Sequence, residues 1–440
     1  MTNTVKYRPL IPGCNVMAKA DGPDREINVA RDRRFQVDGY PAWRSFLLEH
    51  PDGIYIDLPF LDYVNDWALS YSAFKDLNSS PADWWWGSPF NILEDQVQRS
   101  TPALRFGSAL HCGLLEPPEE LRRRYGVKPS EDHPDYKDYA RTIPDLKKAI
   151  QDLGNKPKGP NKPDYINELL ELDPNAKILD IAIDEWRRQG FEELTEKQFN
   201  LLHLMMRMAQ AHPHLKNAFT GVGLSEVSVF WTDEEDIRQR ARFDRLKPKA
   251  SIDLKSFSNW KGREFKKAIL REAALREYPM QAAHYDEGRR RAIQLLKEGK
   301  VYFCDQVVLT DSEIEQINRE RLEQNPDETE LLEIGAKRTA FRSPTAEELD
   351  LVQKVMGGDE WEWVWVFYKT DGAPTAQPVR LNRDNMAFSV GQEHRREALS
   401  HFVHQREMNG LEPGKMWLRL DPMWTPENED WPSFMDTSVS

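Results

Sequence analysis

The stretch RARFDRLKPKASIDLKSF, residues 240–257, alternates polar and apolar side chains on both sides of a turn at Lys247–Pro248–Lys249. Such alternation around a short turn predicts a β-hairpin. We place Leu246 opposite Ser251 in that hairpin. Pro248 is not typical of a two-residue turn, and a slip of one residue would turn each side chain to the other face. The register is therefore a specific prediction that the structure can test.

With this register, Asp244 lies opposite Asp253, and Lys255 points from the same face as Asp253. Two carboxylates directly across a sheet repel each other. Phe243 and Ile252 alternate with the charges, so the other face of the hairpin is apolar and packs on a core. The charged patch has two interpretations, a structural ion-pair network on an exposed sheet or a divalent metal site.

A third carboxylate favours the metal site. The strand LSEVSVFWTD, residues 224–233, precedes the hairpin and places Glu226 on the face opposite to Val227. Three acids gathered together need a cation, or their pKa values must rise. All-oxygen ligation suits Mg²⁺, and Lys255 supplies a point charge beside a water molecule or a phosphate oxygen. This combination is suited to metal-assisted hydrolysis of a phosphodiester.

Two helices add further candidates. Gln281 and Tyr285 lie four residues apart on a helix that begins near Pro279, so they share one face. They can hold water or phosphate and stack on a base, or they can form an ordinary half-buried helix face. His111 lies in the predicted helix of residues 101–117 and has two interpretations as well, a packed core histidine or a metal ligand.

Composition sets broad limits. The chain has 440 residues, of which 39% are hydrophobic and 30% charged, as expected of a soluble globular protein. The three cysteines are few and far apart, which indicates a reducing cytoplasm and excludes a four-cysteine iron–sulfur cluster. We expect neither a signal peptide nor a membrane span. The net charge of −13 does not indicate nucleic-acid binding, although an acidic protein can bind nucleic acid through a locally basic groove. Candidates for that groove are Arg240, Arg242, Arg245, Lys247 and Lys249.

The order of predicted elements indicates an α/β (α+β) fold with a mixed central sheet flanked by helices. We expect a strand and then a loop in 53–64, a helix in 70–87 that ends near Ser80–Pro81, and mainly helices in 311–358. The Trp84–Trp86 run is either core packing or a wedge at a duplex end. The predicted organisation is an N-terminal extension (1–52), a core (53–310) with a charged helical insertion (118–200), and C-terminal helices and a strand that complete the core (311–440).

The ordered set of histidine, glutamate, aspartate, Asp-x-Lys and Gln-x-x-x-Tyr resembles the PD-(D/E)xK nuclease superfamily, with its restriction-endonuclease-like core. The similarity is to the subgroup that includes the RecB nuclease domain, λ exonuclease and RecE (exodeoxyribonuclease VIII). Phe243 stands where the proline of the motif would precede Asp244. The resemblance implies these roles: Mg²⁺ ligation by Asp244, Asp253 and the Leu254 carbonyl, further ligation by Glu226 and His111, catalysis by Lys255 together with the acids, and DNA binding by Gln281, Tyr285, Ser72 and Lys75.

The resemblance further implies a Mg²⁺-dependent 5′→3′ double-strand DNA exonuclease, with Mn²⁺ as a substitute, that leaves a 3′ single strand for recombination. Its partners would be DNA ends, a RecT-like single-strand annealing protein and further copies of the chain in a ring trimer or tetramer. The setting would be the cytoplasm of a bacterium or a phage-infected host. Two alternatives stay open, a structure-specific or RecB-like nuclease module and a non-catalytic DNA-binding scaffold.

Overall fold

A computed structural model of the chain describes residues 49–91, 101–259, 262–324, 331–332, 334–411 and 415–417. Most of the proposed N-terminal extension and Cys14 therefore lie outside the described residues. Cys112 and Cys304 are buried free thiols. The described helices include none with both the length and the apolar content that a membrane crossing requires.

The described residues form strands and helices in alternating groups. The strands are β1 Gly53–Ile56, β2 Tyr125–Val127, β3 Glu192–Leu194, β4 Leu224–Thr232, β5 Arg238–Lys247, β6 Ala250–Phe257, β7 Val301–Val308, β8 Lys337–Arg342, β9 Glu362–Lys369 and β10 Thr375–Leu381. The helices are α1 Phe60–Asn65, α2 Tyr71–Ser79, α3 Pro81–Gly87, α4 Pro102–Leu115, α5 Pro118–Arg124, α6 Ile143–Asp152, α7 Lys162–Leu172, α8 Leu179–Arg188, α9 Glu196–Ala211, α10 Phe265–Leu275, α11 Tyr278–Lys297, α12 Asp311–Gln324, α13 Ala346–Met356 and α14 Met386–Asn409.

Eight strands form one mixed sheet in the order β10-β9-β6-β5-β4-β1-β7-β8. The three consecutive strands β4, β5 and β6 pair antiparallel. The sheet becomes parallel where β6 pairs with β9 and, beyond the antiparallel pair β4–β1, where β1 pairs with β7. The predicted fold class, a mixed α/β sheet flanked by helices, is confirmed and matches a restriction-endonuclease-like core.

Helices cover both faces of the central strands. On one face, α11 and α13 pack over a cluster that includes Val227, Val229, Trp231, Phe243 and Leu246. On the other face, α4 and α9 pack over a cluster that includes Ile252, Leu254, Val366 and Tyr368. Helix α11 reaches the sheet closely because Gly288 has no side chain: a Cβ there would lie 3.2 Å from the Trp231 ring. The site described below lies between these two covers.

The hairpin has the predicted register. Leu246 lies opposite Ser251, and Pro248 and Lys249 form a two-residue turn. Arg289 of α11 stabilises the turn, because its guanidinium donates hydrogen bonds to the carbonyl oxygens of Lys247 at 2.8 Å and Pro248 at 3.3 Å. These bonds provide a physical reason for a tight turn that a proline would not favour on its own.

Several predicted elements need correction. Residues 57–64 are not only a loop, since they contain the short helix α1. The helix that was expected to end near Ser80–Pro81 is followed directly by a second helix, α3. The region 311–358 contains the strand β8, whose mostly exposed, charged sequence hides the alternation of a strand. The strand β10 was not predicted. It carries Pro378, which fits its position at the sheet edge, where a missing N–H is tolerated.

The region 118–200 contains α5 to α8, the parallel pair β2–β3 and the start of α9. It has a small apolar cluster of its own, formed by Leu146, Ile150, Tyr165, Leu169 and Ile178. Leu121 and Leu194 instead join the cluster under α4. Within the tryptophan run, Trp84 and Trp85 are buried, as core packing requires, and Trp86 is exposed.

Candidate active site

The site forms where the central strands separate. The β5–β6 ladder ends at the pair Arg245–Ile252, one residue before Asp244 and Asp253 would pair. Beyond this point β5 continues along β4, whereas β6 continues along β9. Asp244 and Asp253 therefore do not form the regular cross-strand pair on one face that the sequence predicted. Instead Asp244 accepts a hydrogen bond at 2.7 Å from the backbone N–H of Leu254, which the separation of the strands leaves free.

The β4–β5 ladder is also interrupted here. The pairs Ser225–Arg245 and Val227–Phe243 flank the positions of Glu226 and Asp244, which do not pair regularly. Glu226 has a φ of 53°, in the left-handed region that residues other than glycine rarely adopt. Such a conformation costs on the order of 1–3 kcal/mol and concentrates at functional sites. The distortion turns the Glu226 carboxylate toward α4.

Three potential ligands meet on the α4 side of the sheet. His111 Nδ1 lies 3.7 Å from Asp244 Oδ2 and 3.9 Å from Glu226 Oε1. One ligand atom from each of these residues lies within 4.8 Å of the others. All three side chains are partly buried, and Arg242 Nε donates to Glu226 Oε2 at 2.7 Å. We refer to His111, Glu226 and Asp244 as the acidic triad.

The protonation of the acidic triad reflects its crowding. Burial raises the pKa of Asp244 to about 7; the charge of His111 opposes the rise, and the nearby carboxylates of Asp253 and Glu226 add to it. Burial lowers the pKa of His111, but the charges of Asp244 and Glu226 outweigh burial and raise it to about 9. Burial raises the pKa of Glu226, but its interaction with the nearby His111 and the charge of Arg242 bring it down to about 2. A protonated imidazole therefore takes the place of a cation between the two carboxylates.

Asp253 faces α11, on the other side of the strand opening. Its Oδ1 accepts a hydrogen bond at 2.8 Å from Gln281 Nε2, and its Oδ2 lies 2.6 Å from Lys255 Nζ. Asp253 and Gln281 are 3% and 4% exposed. The Lys255 ammonium also lies 4.8 Å from the centre of the Tyr278 ring. Burial lowers the pKa of Lys255, but the Asp253 carboxylate outweighs it and raises the pKa, so the lysine is a fixed cation.

Of the predicted pair, Gln281 is buried and Tyr285 is half-buried. Tyr285 packs edge-on against Phe243 and Trp363, at ring-centre distances of 5.1 and 5.4 Å. Arg289, four residues further along α11, holds the hairpin turn and donates to Ser251 Oγ at 3.0 Å. Gln281, Tyr285 and Arg289 thus form one stripe of α11 that follows the hairpin from the site to the turn. The structure shows positioning contacts for this stripe, and its predicted role in DNA binding stays a prediction.

The structure corrects the prediction of a basic groove, because most of its cations bind partners within the protein. Arg240 is bound to the backbone carbonyls of Tyr63, Val64 and Asp66. Likewise, Arg242, Arg245 and Lys247 bind partners within the protein: Glu226 for Arg242, Ser225 and Gly221 for Arg245, and Asn217 and Thr220 for Lys247. Lys249 alone of the five is exposed. These cations support the fold and the acidic triad, because carbonyl acceptors and carboxylates satisfy them inside the molecule.

Two predicted DNA contacts lie on α2. Ser72 is exposed and Lys75 half-buried. The neighbouring Tyr71 donates a hydrogen bond to the carbonyl of Arg276, just before α11, which ties the start of α2 to the Lys255 side of the site. The predicted roles of Ser72, Lys75 and the Leu254 carbonyl remain predictions.

Sequence reasoning missed two residues of the site. Tyr278 lies three residues before Gln281, and the i, i+3 spacing on α11 is the signal that could have found it. Arg242 lies two residues before Asp244 on β5, so strand alternation places both on one face. Sequence reasoning had assigned Arg242 to DNA instead of to Glu226.

The residues at the site fit a divalent cation. The acidic triad offers carboxylate oxygens and one imidazole within a span that a single ion can bridge. The Leu254 backbone lies beside it, and Asp253 is near enough for its charge to raise the pKa of Asp244. Hard divalent cations prefer oxygen ligands, and an imidazole is acceptable to Mn²⁺ as well. A cation bound here would replace the proton that His111 holds between the acids.

Comparison with known proteins agrees with this geometry. No curated protein matches the chain. The sequence model of one family, described as a PDDEXK-like domain of unknown function (DUF3799), matches residues 70–325, which is more than half of the chain. The match spans α2, α4 and the strands and helices that carry the acidic triad, Asp253, Lys255 and Gln281. The chain therefore belongs to this family of PDDEXK-like domains.

Proposed function

We propose that the protein is a divalent-metal-dependent nuclease that degrades double-stranded DNA from its ends, in the 5′→3′ direction, to leave a 3′ single strand for recombination. The observation that carries the nuclease assignment is the meeting of the acidic triad with the Asp253–Lys255 pair at one opening of the sheet. The resemblance of the ordered motifs to RecE-like enzymes supports end-dependence, polarity, a ring of subunits and a single-strand annealing partner.

Each residue has a distinct part in this proposal. His111, Glu226 and Asp244 would hold a cation together with Asp253. When bound, Mg²⁺ or Mn²⁺ would polarise the scissile phosphate and favour ionisation of the attacking water. Lys255 is held by Asp253 and the Tyr278 ring, so its charge is fixed at the strand opening, where the scissile phosphate would bind. Its ammonium stabilises the negative charge that develops on the phosphate oxygens.

The decisive test is digestion of linear duplex DNA that is labelled at either the 5′ or the 3′ end, in Mg²⁺, in Mn²⁺ and in EDTA. We expect metal-dependent release of nucleotides from the 5′ end and accumulation of 3′ single strands. Lys255→Ala should abolish digestion while leaving a folded protein, as judged by its thermal unfolding. The matched control is Lys354→Ala on α13, an exposed lysine, which should digest DNA at the wild-type rate.

The same experiment separates the alternatives. Cutting of closed circular DNA would replace the exonuclease by an endonuclease. Wild-type digestion by Lys255→Ala would refute the assignment of the site. Binding of duplex DNA without digestion in either metal would favour the non-catalytic scaffold.

A further inference from the structure

Helix α10 turns a row of cations to solvent next to the candidate site. Its inner side packs through Ala268, Ile269 and Ala273. The exposed cations of this segment are Arg263, Lys266, Lys267 and Arg271, which we call the α10 cationic face. Lys267 and Arg271 lie four residues apart on one side of α10, about 6 Å along its axis, and Arg263 lies in the segment that leads into the helix.

The cations of this face have few partners within the protein. Arg263, Lys266 and Arg271 form no ion pair with any residue that the structure describes. Lys267 Nζ lies 3.4 Å from Glu264, but their side chains are 80% and 57% exposed, and exposed pairs of this kind stabilise little. By contrast, Arg291 on α11 is paired with both Glu234 and Glu287. The charges of the α10 cationic face are therefore available to an external anion.

Helix α10 is joined directly to the helix that borders the site. Glu277, with a φ of 56°, turns the chain from α10 into α11. The first residue of α11, Tyr278, lies under the Lys255 ammonium, and the carbonyl of Arg276 accepts the hydrogen bond of Tyr71. A long polyanion with one phosphate at Lys255 can therefore extend along α10.

We propose that the α10 cationic face binds the phosphate backbone of duplex DNA that leads into the active site. This inference rests on the proposed function. The chain has a net charge of −13 and repels DNA as a whole, so a local row of unpaired cations is needed to hold the polyanion. One DNA strand carries a phosphate about every 3.4 Å of axis, so the roughly 6 Å from Lys267 to Arg271 meets about two of them.

Two exposed leucines on the same helix make a protein partner the main competitor. Leu270 and Leu275 are 64% and 66% exposed. Leu270 stands among the cations, where DNA would bring sugar carbons against it. A second copy of this acidic chain could also cover the leucines, and the experiment must therefore report on subunit assembly as well as on DNA.

The test measures binding of a fluorescent duplex in EDTA, in which the proposed cleavage does not proceed, between 50 and 200 mM salt. The variant is Lys267→Ala/Arg271→Ala, and the matched control is Arg319→Ala/Lys354→Ala, an exposed arginine on α12 and an exposed lysine on α13. Each lost phosphate contact lowers the slope of log K against log salt by about 0.9, so we expect a loss of about 1.8. Over this fourfold range of salt, wild-type affinity then falls roughly twelvefold more than that of the variant. The control should keep the wild-type slope.

Steady-state digestion in Mg²⁺ provides the second readout. The variant should raise KM for duplex DNA and leave kcat at saturating DNA within about twofold, because α10 lies outside the reacting centre. A wild-type slope and KM in the variant would overturn the inference, as would a changed subunit number in size-exclusion chromatography with unchanged DNA binding. If the wild type shows the α10-dependent slope but no digestion, the proposed function fails and this inference stands.

Discussion

The hydrogen bond between Gln281 and Asp253 offers a sharp test of the site. Both side chains are almost fully buried, and Gln281 Nε2 donates to Asp253 Oδ1 at 2.8 Å. A hydrogen bond to a charged group stabilises by about 1.5–3 kcal/mol, which corresponds to roughly ten- to hundredfold in an equilibrium constant. Groups that hold a metal ligand in place have effects of about the same size. We therefore expect Gln281→Ala to weaken Mn²⁺ binding by about ten- to hundredfold.

The assay is calorimetric titration of the DNA-free protein with Mn²⁺, followed by digestion kinetics at saturating metal. If Gln281 orients Asp253, the metal dissociation constant rises and KM for DNA changes little. The control is Gln294→Ala on the same helix, where the amide donates at 3.0 Å to the exposed Glu298, and it should change metal affinity by less than about twofold.

Two outcomes would refute this reasoning. Unchanged metal affinity with a raised KM for DNA would mean that Gln281 contacts the substrate, as the sequence comparison implied, and that its bond to Asp253 is incidental. Equal effects of the variants at Gln281 and Gln294 would mean that the loss reflects the helix and not the site. Thermal unfolding of each variant shows whether a loss of binding comes from a loss of folded protein.

Further predictions concern protons and packing. The pKa of His111 is raised to about 9 and that of Asp244 to about 7, and both groups must release a proton to bind a metal. Mn²⁺ affinity should therefore rise with pH by up to about tenfold per unit between pH 7 and 9, rise more steeply below pH 7 and level off above 9. Calorimetry across this range checks it, and a flat profile would remove His111 from the ligand set. Arg289→Met should lower the free energy of unfolding by roughly 3 kcal/mol or more, because it leaves buried carbonyls unpaired. In urea unfolding, the exposed neighbour Arg290→Met should cost less than about 1 kcal/mol, and equal losses would contradict the proposed support of the turn.

The hairpin could be predicted because its register depends on local information. Alternating side chains around a short turn pin the pairing, since a slip of one residue would bury charges. The order of acids and of Lys255 along the chain followed from the same pattern. By contrast, the separation of β5 from β6 depends on the pairing of β6 with β9, more than 100 residues further along the chain. A single sequence does not show that long-range pairing, and without it Asp244 and Asp253 seemed to share one face.

The basic residues of the hairpin illustrate a second limit. Their positions on alternating strand faces were predictable, but their partners were not. Arg240 and Arg242 reach backbone carbonyls in the segment 58–66, which lies more than 170 residues earlier in the chain. The sequence alone does not distinguish a cation that binds buried carbonyls from a cation that binds DNA. The structure separates them by burial and partners, and for this reason we propose the DNA contacts on α10 instead of on the hairpin.

The two sides of the strand opening differ in the positive charge that neutralises their carboxylates. On the α4 side, His111 carries a proton between Glu226 and Asp244, so the acids remain together without a metal. On the α11 side, Asp253 already has a permanent cation in Lys255. A divalent ion would therefore displace a proton from the first side and leave the lysine of the second in place. The two carboxylates of the hairpin therefore have different neighbours: Asp244 lies beside the exchangeable proton of His111, and Asp253 keeps its contact with the Lys255 ammonium when it joins the ligands of the ion.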